Sequence, residues 1–172
     1  MPDLHPPADL RQARPRRELV VRHTLRATPE HVFAAFTEPE QLKQWWWPSG
    51  FTVPRAEVDL RVGGTYRIYM TWPEFMPEES QFSHYMGGEY YEIDPPHRLV
   101  MSGRAVNEQQ GELFATLIEL TLEEVPEGTQ LAIRQTYFDP MPPKAALEGA
   151  EQGWTEQLDK LERLLGAAGA DR

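Results

Sequence analysis

The carboxy-terminal stretch from Lys144 to Leu165 constrains the fold more than any other part of this chain. Leu147, Trp154, Leu158, Leu161 and Leu165 recur at spacings built from three and four, which lays them along one face of an α-helix. Glu148, Glu151, Gln152, Glu156, Asp159, Lys160 and Arg163 fill most of the opposite side. Gly149 and Gly153 lie inside this helix, each costing about 1 kcal/mol relative to alanine. Each large apolar side chain that becomes fully buried returns roughly 1.5–3 kcal/mol. The helix therefore forms by docking, and it needs a broad apolar surface to dock on.

The remaining sequence has the size and pattern to supply that surface. A chain of 172 residues suits one domain with a substantial core. It has no cysteine, which excludes disulfides, thiolate metal sites and a cysteine nucleophile. No run of ~18 apolar residues appears, so no membrane span is expected. Pro2, Pro6, Pro7 and Pro15 interrupt the amino terminus and leave no apolar core of the signal-peptide kind, which points to the cytoplasm. A net charge of -10 repels phosphate and argues against a nucleic-acid partner. Arg11, Arg14, Arg16 and Arg17 form a basic arm against that background. The expected division is a flexible arm over 1–16, one domain over 17–166 and a flexible tail over 167–172.

Alternation of apolar and polar residues marks the strands. Leu19 to Ala27 is the first, with Leu19, Val21, His23 and Leu25 on one face, although either face could be the inner one. Thr28 caps a short helix that opens on Pro29 and buries Val32, Phe33 and Phe36. A second short helix runs from Pro39 to about Trp46. Two helices this short cannot bury Trp45, Trp46 and Trp47 together, so at least one of the three packs elsewhere or stands at an opening. Arg55 to Val62 alternates strictly, with Val58, Leu60 and Val62 opposite Glu57, Asp59 and Arg61. Gly63-Gly64 then turns the chain into a strand through Trp72. Further strands are read at Glu89 to Ile93, Arg98 to Ala105, Leu113 to Glu123 and Thr129 to Tyr137. Between Pro73 and Gly88 lies a segment too apolar for an ordinary solvated loop, expected to act as a lid over a pocket mouth or as a contact in a homodimer. Strand, two short helices, six strands and a long helix suit an antiparallel sheet curled around one helix.

Several of these stretches resemble a known family. Gly50-Phe51-Thr52-Val53-Pro54 followed by Asp59-Leu60-Arg61-Val62-Gly63-Gly64-Thr65-Tyr66 is similar to the signature of the Hsp90-ATPase-activator-homologue family. So are Leu42-Lys43-Gln44-Trp45-Trp46, the run from Tyr90 to Val100 and Gly153-Trp154-Thr155-Glu156-Gln157-Leu158-Asp159-Lys160-Leu161. That family lies in the START-like, Bet v 1-like superfamily. The resemblance implies an α+β helix-grip fold: a seven-stranded curved antiparallel sheet around a long carboxy-terminal helix, two short helices between strands 1 and 2, and a cavity between sheet and helix. The apolar insertion Pro73 to Gly88 and the arginine-rich arm depart from the family pattern. The separate amino-terminal domain of eukaryotic Hsp90 activators is missing, which weakens the case for a chaperone partner.

A bent sheet and a single helix rarely interdigitate along their whole length, so a gap between them is expected on packing grounds alone. Ligand pockets are mainly apolar with a few polar groups. On the sheet the expected lining is Tyr66, Ile68, Met70, Met101, Phe114, Ile118, Ile133 and Tyr137. Trp154 and Leu158 face it from the helix, with Trp46 and Phe51 nearer one end. Asp59, Arg61, Glu92 and Gln135 are the polar candidates, able to orient a ligand or exchange protons if their faces turn inward. The alternative places them on a solvated face as cross-strand pairs. His5, His23, His31, His84 and His97 show no metal-ligand spacing, and no nucleophile elbow, phosphate loop or dinucleotide fingerprint is present. No metal, no cofactor and no catalytic residue is assigned. Three functions fit: binding of a small hydrophobic or aromatic molecule, a cyclase- or aromatase-like enzyme, and a protein-interaction module. The first is favoured.

Overall fold

The computed structural model of the protein describes residues 9–47, 50–71 and 84–170. In chain order they form β1 (Arg17–Leu25), α1 (Pro29–Thr37), α2 (Pro39–Trp45), β2 (Thr52–Val58), β3 (Thr65–Thr71), β4 (His84–Asp94), β5 (Arg98–Asn107), β6 (Gly111–Val125), β7 (Gly128–Tyr137) and α3 (Lys144–Ala170). The strands make one sheet in the order β1-β7-β6-β5-β4-β3-β2, antiparallel throughout. β1 and β2 are its two edges, so α1 and α2 must carry the chain from one edge to the other. This is the helix-grip arrangement, with α3 held by the curved sheet.

Local chemistry accounts for the short helices. The Thr28 hydroxyl accepts a hydrogen bond from His31 N at 3.4 Å, and Pro29 opens α1 with a preset backbone angle. Pro39 does the same for α2, which has no side-chain cap. Both helices then bury their apolar sides. Val32, Phe36, Leu42 and Trp45 join Leu158, Leu161 and Leu165 of α3 in one core with Leu25, Leu131 and Ile133 of the sheet. The inner face of β1 is the one bearing Leu19, Val21 and Leu25, while Val20 is 42 % exposed.

Four local features differ from the sequence reading. The strand expected over Arg55 to Val62 runs from Thr52 and stops at Val58, and Leu60 and Val62 face solvent. After Val58 the chain enters a turn in which Arg61 N donates to Asp59 O and Gly64 N donates to Arg61 O. A Cβ on Gly64 would lie 2.1 Å from Asp59 O, so glycine is required where the turn folds back. Strict alternation at Val58, Leu60 and Val62 therefore misleads. β4 starts at His84, which makes the end of the expected Pro73 to Gly88 lid a strand paired with β3. The rest of that segment, 73–83, lies outside the described residues. α3 continues past Leu165 to Ala170.

The fourth difference lies in the amino-terminal arm. Asp9 caps a short turn, Leu10–Gln12, and Leu10 is wholly buried on the outer face of the sheet with Tyr91, Val100, Ala115 and Phe138. Leu10 N donates to the Tyr91 hydroxyl at 3.2 Å, and the Arg11 guanidinium sits 4.7 Å from the centre of the Tyr91 ring. A second, smaller core thus forms on the outside, where a leucine removed from water offsets the ordering of the arm.

Tyr66 and Tyr90 stand side by side in the main core, ring centres 5.4 Å apart, and the Tyr66 hydroxyl donates to Ser102 O at 2.7 Å. Burial pushes both phenols above their ordinary value of 10.0. Raised in the folded state, each holds its stabilising contribution below pH ~10 and loses it above, because the unfolded chain ionises first. Stability should therefore fall on the alkaline side by about 1.4 kcal/mol per pH unit for each of the two. A titration following tyrosinate absorbance and far-ultraviolet dichroism together checks this. Two tyrosines should ionise only as the fold is lost, and six ordinary titrations in a folded protein would refute the burial.

Candidate functional site

The two halves of α3 meet the sheet differently. Toward its carboxy terminus Leu158, Leu161 and Leu165 fill the space against the sheet and leave a close-packed core. Toward its amino terminus Ala146, Gly149, Ala150 and Gly153 lie in the same relation, and such small side chains leave room. A cavity of about 430 Å³ opens there between helix and sheet. Its wall on the sheet side comes from Met70 of β3, Met86 of β4, Phe114 and Ile118 of β6, and Gln135 and Tyr137 of β7. Trp46, Trp47 and Phe51 close one end, and Trp154, Gln157 and Pro142 complete the wall.

The tryptophans divide as their crowding demands. Trp45 is buried in the core, with its indole N–H donated to Ala35 O at 3.0 Å and its ring edge-on to Phe36. Trp46 follows at 5.2 Å from Trp45 and 5.9 Å from Trp154, so an unbroken line of rings joins α1 to α3. Trp47 is half-buried at the edge of the cavity, beside Phe51. Its carbonyl accepts a hydrogen bond from Lys160 Nζ of α3. Partial burial lowers the Lys160 pKa from its ordinary value. Among the described residues, Trp47 Nε1 and Thr71 Oγ1 are the buried side-chain atoms without a hydrogen-bond partner.

One relay of hydrogen bonds fixes the helix over the cavity. Trp154 Nε1 donates to Gln135 Oε1 at 2.9 Å, Gln135 Nε2 donates to Thr116 Oγ1 at 3.3 Å, and Thr116 Oγ1 donates to Gly103 O at 3.1 Å. It crosses α3, β7, β6 and β5 through buried groups, where each bond is stronger than in water and each broken one leaves a costly orphan.

Of the residues that the sequence singles out, Trp46, Phe51, Met70, Phe114, Ile118, Gln135, Tyr137 and Trp154 stand together around this cavity. Tyr66, Ile68, Met101, Ile133 and Leu158 lie in the packed core instead. Asp59 and Arg61 are not at the cavity: they pair with each other at 2.9 Å in the exposed turn after β2. Glu92 is likewise outside, pairing with Arg98, which also holds Glu119. A bulge between Tyr90 and Glu92 is the reason. It sets Glu92 opposite Val100, an outer-face residue, and so breaks the alternation that would have turned Glu92 inward. The sequence marks Trp47 only as one of three tryptophans that could stand at an opening, and Met86, Gln157, Ala146, Gly149 and Ala150 are not among the expected lining residues. Spacing of Ala146, Gly149, Ala150, Gly153 and Gln157 by three, four and seven was the available signal, a stripe of small residues flanking the leucines.

A separate group lies at the seam of β1 and α3, where ligand atoms of His23, Asp159 and Glu162 fall within 4.8 Å of one another. Asp159 and Glu162 are one helical turn apart, and His23 Nε2 already lies 3.2 Å from Glu162 Oε2. The group could hold a metal ion, but its side chains are half-buried or exposed and it takes no part in the cavity.

Comparison with known proteins agrees with the geometry. The sequence profile of the family described as Activator of Hsp90 ATPase homolog 1-like protein matches residues 26–166. A solved structure from Chromobacterium violaceum is 28% identical and superposes with a TM-score of 0.71, over 87% of this chain and 98% of that one. A Rhodobacter sphaeroides protein is also 28% identical, with a TM-score of 0.73 over 87% of this chain and 93% of its own. The AHSA1 protein from Silicibacter pomeroyi, 21% identical, shares the fold with a TM-score of 0.72 over 88% of this chain and 99% of its own. No curated protein matches the chain.

Proposed function

The chain belongs to the family of Activator of Hsp90 ATPase homolog 1-like proteins, and we propose that it holds a small hydrophobic or aromatic molecule between the sheet and α3, in the manner of a carrier or sensor. The observation that carries this reading is the cavity itself. Its volume of about 430 Å³ lies within the usual range of small-molecule sites, and its wall is almost wholly aromatic and aliphatic. Family membership adds that the fold is one built to enclose a space. A cyclase or aromatase would need groups that move protons at the reacting atoms. Asp59, Arg61 and Glu92 lie elsewhere, and among the described residues Tyr137 is the one ionisable residue in the wall. An interaction module, with a chaperone or a second copy as partner, would use the segment Pro73 to Gly88, of which 73–83 lie outside the described residues. Among the described residues no helix is long and apolar enough to cross a membrane.

Native mass spectrometry of freshly purified protein should show a bound compound of small mass. In parallel, an apolar aromatic ligand at about 100 times its Kd should stabilise the fold by about 2.7 kcal/mol and raise the melting temperature by roughly 5–10 °C. Trp46 and Trp154 fluorescence should be quenched in the same titration. A diverse set of apolar compounds that produces neither shift nor quenching would remove the carrier reading.

A further inference from the structure

Among the described residues of the cavity wall, the amide side chains are already hydrogen-bonded, and the Trp47 indole N–H has no partner but is sealed from solvent. Gln135 uses its oxygen for the Trp154 indole and its nitrogen for Thr116. Gln157 Nε2 donates back to Gly153 O at 3.2 Å. Tyr137 differs. It is only 4% exposed, it forms part of the wall, and among the described residues no group hydrogen-bonds to its hydroxyl. Its place follows from β7, whose inner row runs Ile133, Gln135, Tyr137 toward the small-residue half of α3. Burial pushes the phenol above its ordinary value, partly opposed by Arg17, so it is a neutral O–H donor at physiological pH. The hydroxyl is not one of the buried orphan atoms and stays open to solvent, so a ligand that displaces its water must offer an acceptor to recover the bond.

Charge gives the second half of the argument. Among the described residues, no lysine, arginine, histidine, aspartate or glutamate belongs to the wall. Arg17, whose charge acts on the phenol, is exposed and is not one of the wall residues. A carboxylate or ammonium entering such a space would shed its hydration with no counter-charge to replace it.

Resting on the reading of the cavity as a ligand site, we propose that its ligand is an uncharged aromatic molecule carrying a hydrogen-bond-accepting oxygen, which the Tyr137 hydroxyl binds. The ring system lies against Trp46, Trp154 and Phe114, and the oxygen takes the place of water at the phenol. Carboxylate-bearing molecules such as fatty-acid anions are thereby disfavoured, although their tails would suit the wall.

Three probes of nearly the same shape test this: 2-acetylnaphthalene, 2-isopropenylnaphthalene, in which a methylene replaces the carbonyl oxygen, and 2-naphthoate. Their affinities are measured by tryptophan quenching for the wild-type protein and Tyr137→Phe. The ratio of ketone to alkene affinity should fall by about 2- to 12-fold in the variant, the worth of one neutral hydrogen bond. Because that ratio is read within each protein, a general loss of affinity in the variant cancels. In the wild type, 2-naphthoate should bind at least about 10-fold more weakly than the ketone. An unchanged ketone-to-alkene ratio overturns the role of Tyr137, and naphthoate binding as tightly as the ketone overturns the selection for neutrality. Failure of all three probes to bind the wild type overturns instead the underlying reading of the cavity.

Discussion

Replacing Trp154 by alanine should lower the unfolding free energy by about 3–5 kcal/mol, read from the midpoint of urea unfolding with an unchanged slope. Trp154 is 6% exposed, and it connects α3 to the sheet in two ways. Its ring stands edge-on to Trp46 at 5.9 Å, ending the aromatic line that begins at Phe36. Its N–H closes the relay through Gln135 and Thr116 to Gly103. Alanine removes both, enlarges an existing cavity and strands Gln135 Oε1 in a buried position. Trp154→Phe separates the two contributions. It keeps most of the apolar contact and should cost about 1–3 kcal/mol, the penalty of one orphaned buried polar group. A near-neutral Trp154→Ala would mean that the helix is not docked through this residue.

Gly88→Ala should cost about 3 kcal/mol through the opposite fault, too much matter in place of too little. Gly88 lies on β4 opposite Tyr66 of β3. An added Cβ would fall 2.0 Å from Ser102 O and 2.5 Å from Ser102 Oγ, well inside contact distance. Neither atom can step aside freely. Ser102 O accepts from the buried Tyr66 hydroxyl at 2.7 Å, and Ser102 Oγ accepts from Glu89 N at 2.9 Å. β4 and β5 would have to separate, exposing the ladder beside the Tyr66–Tyr90 pair. Gly149→Ala is the control, since a Cβ there meets nothing within 4 Å and helix propensity favours alanine. It should be neutral or stabilising. Equal effects from the two substitutions, measured by chemical unfolding, would show that crowding at Gly88 is not what matters.

Most element types and their order were legible because they are written in short-range periodicities. Leucines at helical spacing mark α3, Thr28-Pro29 marks the start of α1, and alternation marks β6 and β7. The cavity was legible only in part. Met70, Phe114, Ile118, Tyr137 and Trp154 stand around it, yet Ile68, Met101 and Leu158 share their periodicity and lie in solid core. Periodicity reports a face, not how far along that face the packing stays tight. Asp59, Arg61 and Glu92 were misplaced for a different reason. Each sits beside a turn or bulge, and one extra residue reverses which way every later side chain points. Leu10 gave no periodic signal at all, because a single leucine in a polar arm becomes informative only when Tyr91, Val100 and Phe138 are brought beneath it.

The sequence by itself determined the elements, their succession along the chain and the docking face of the last helix, since these follow from contacts between near neighbours and from the simple need to cover an apolar stripe. Tertiary structure alone decided where that docking is loose. The stripe of Ala146, Gly149, Ala150 and Gly153 meets the β7 row at Tyr137, whereas Leu158 and Leu161 meet it in a close-packed core. Whether a small residue leaves a space depends on the size of what faces it across the fold, and that pairing joins positions far apart in the chain.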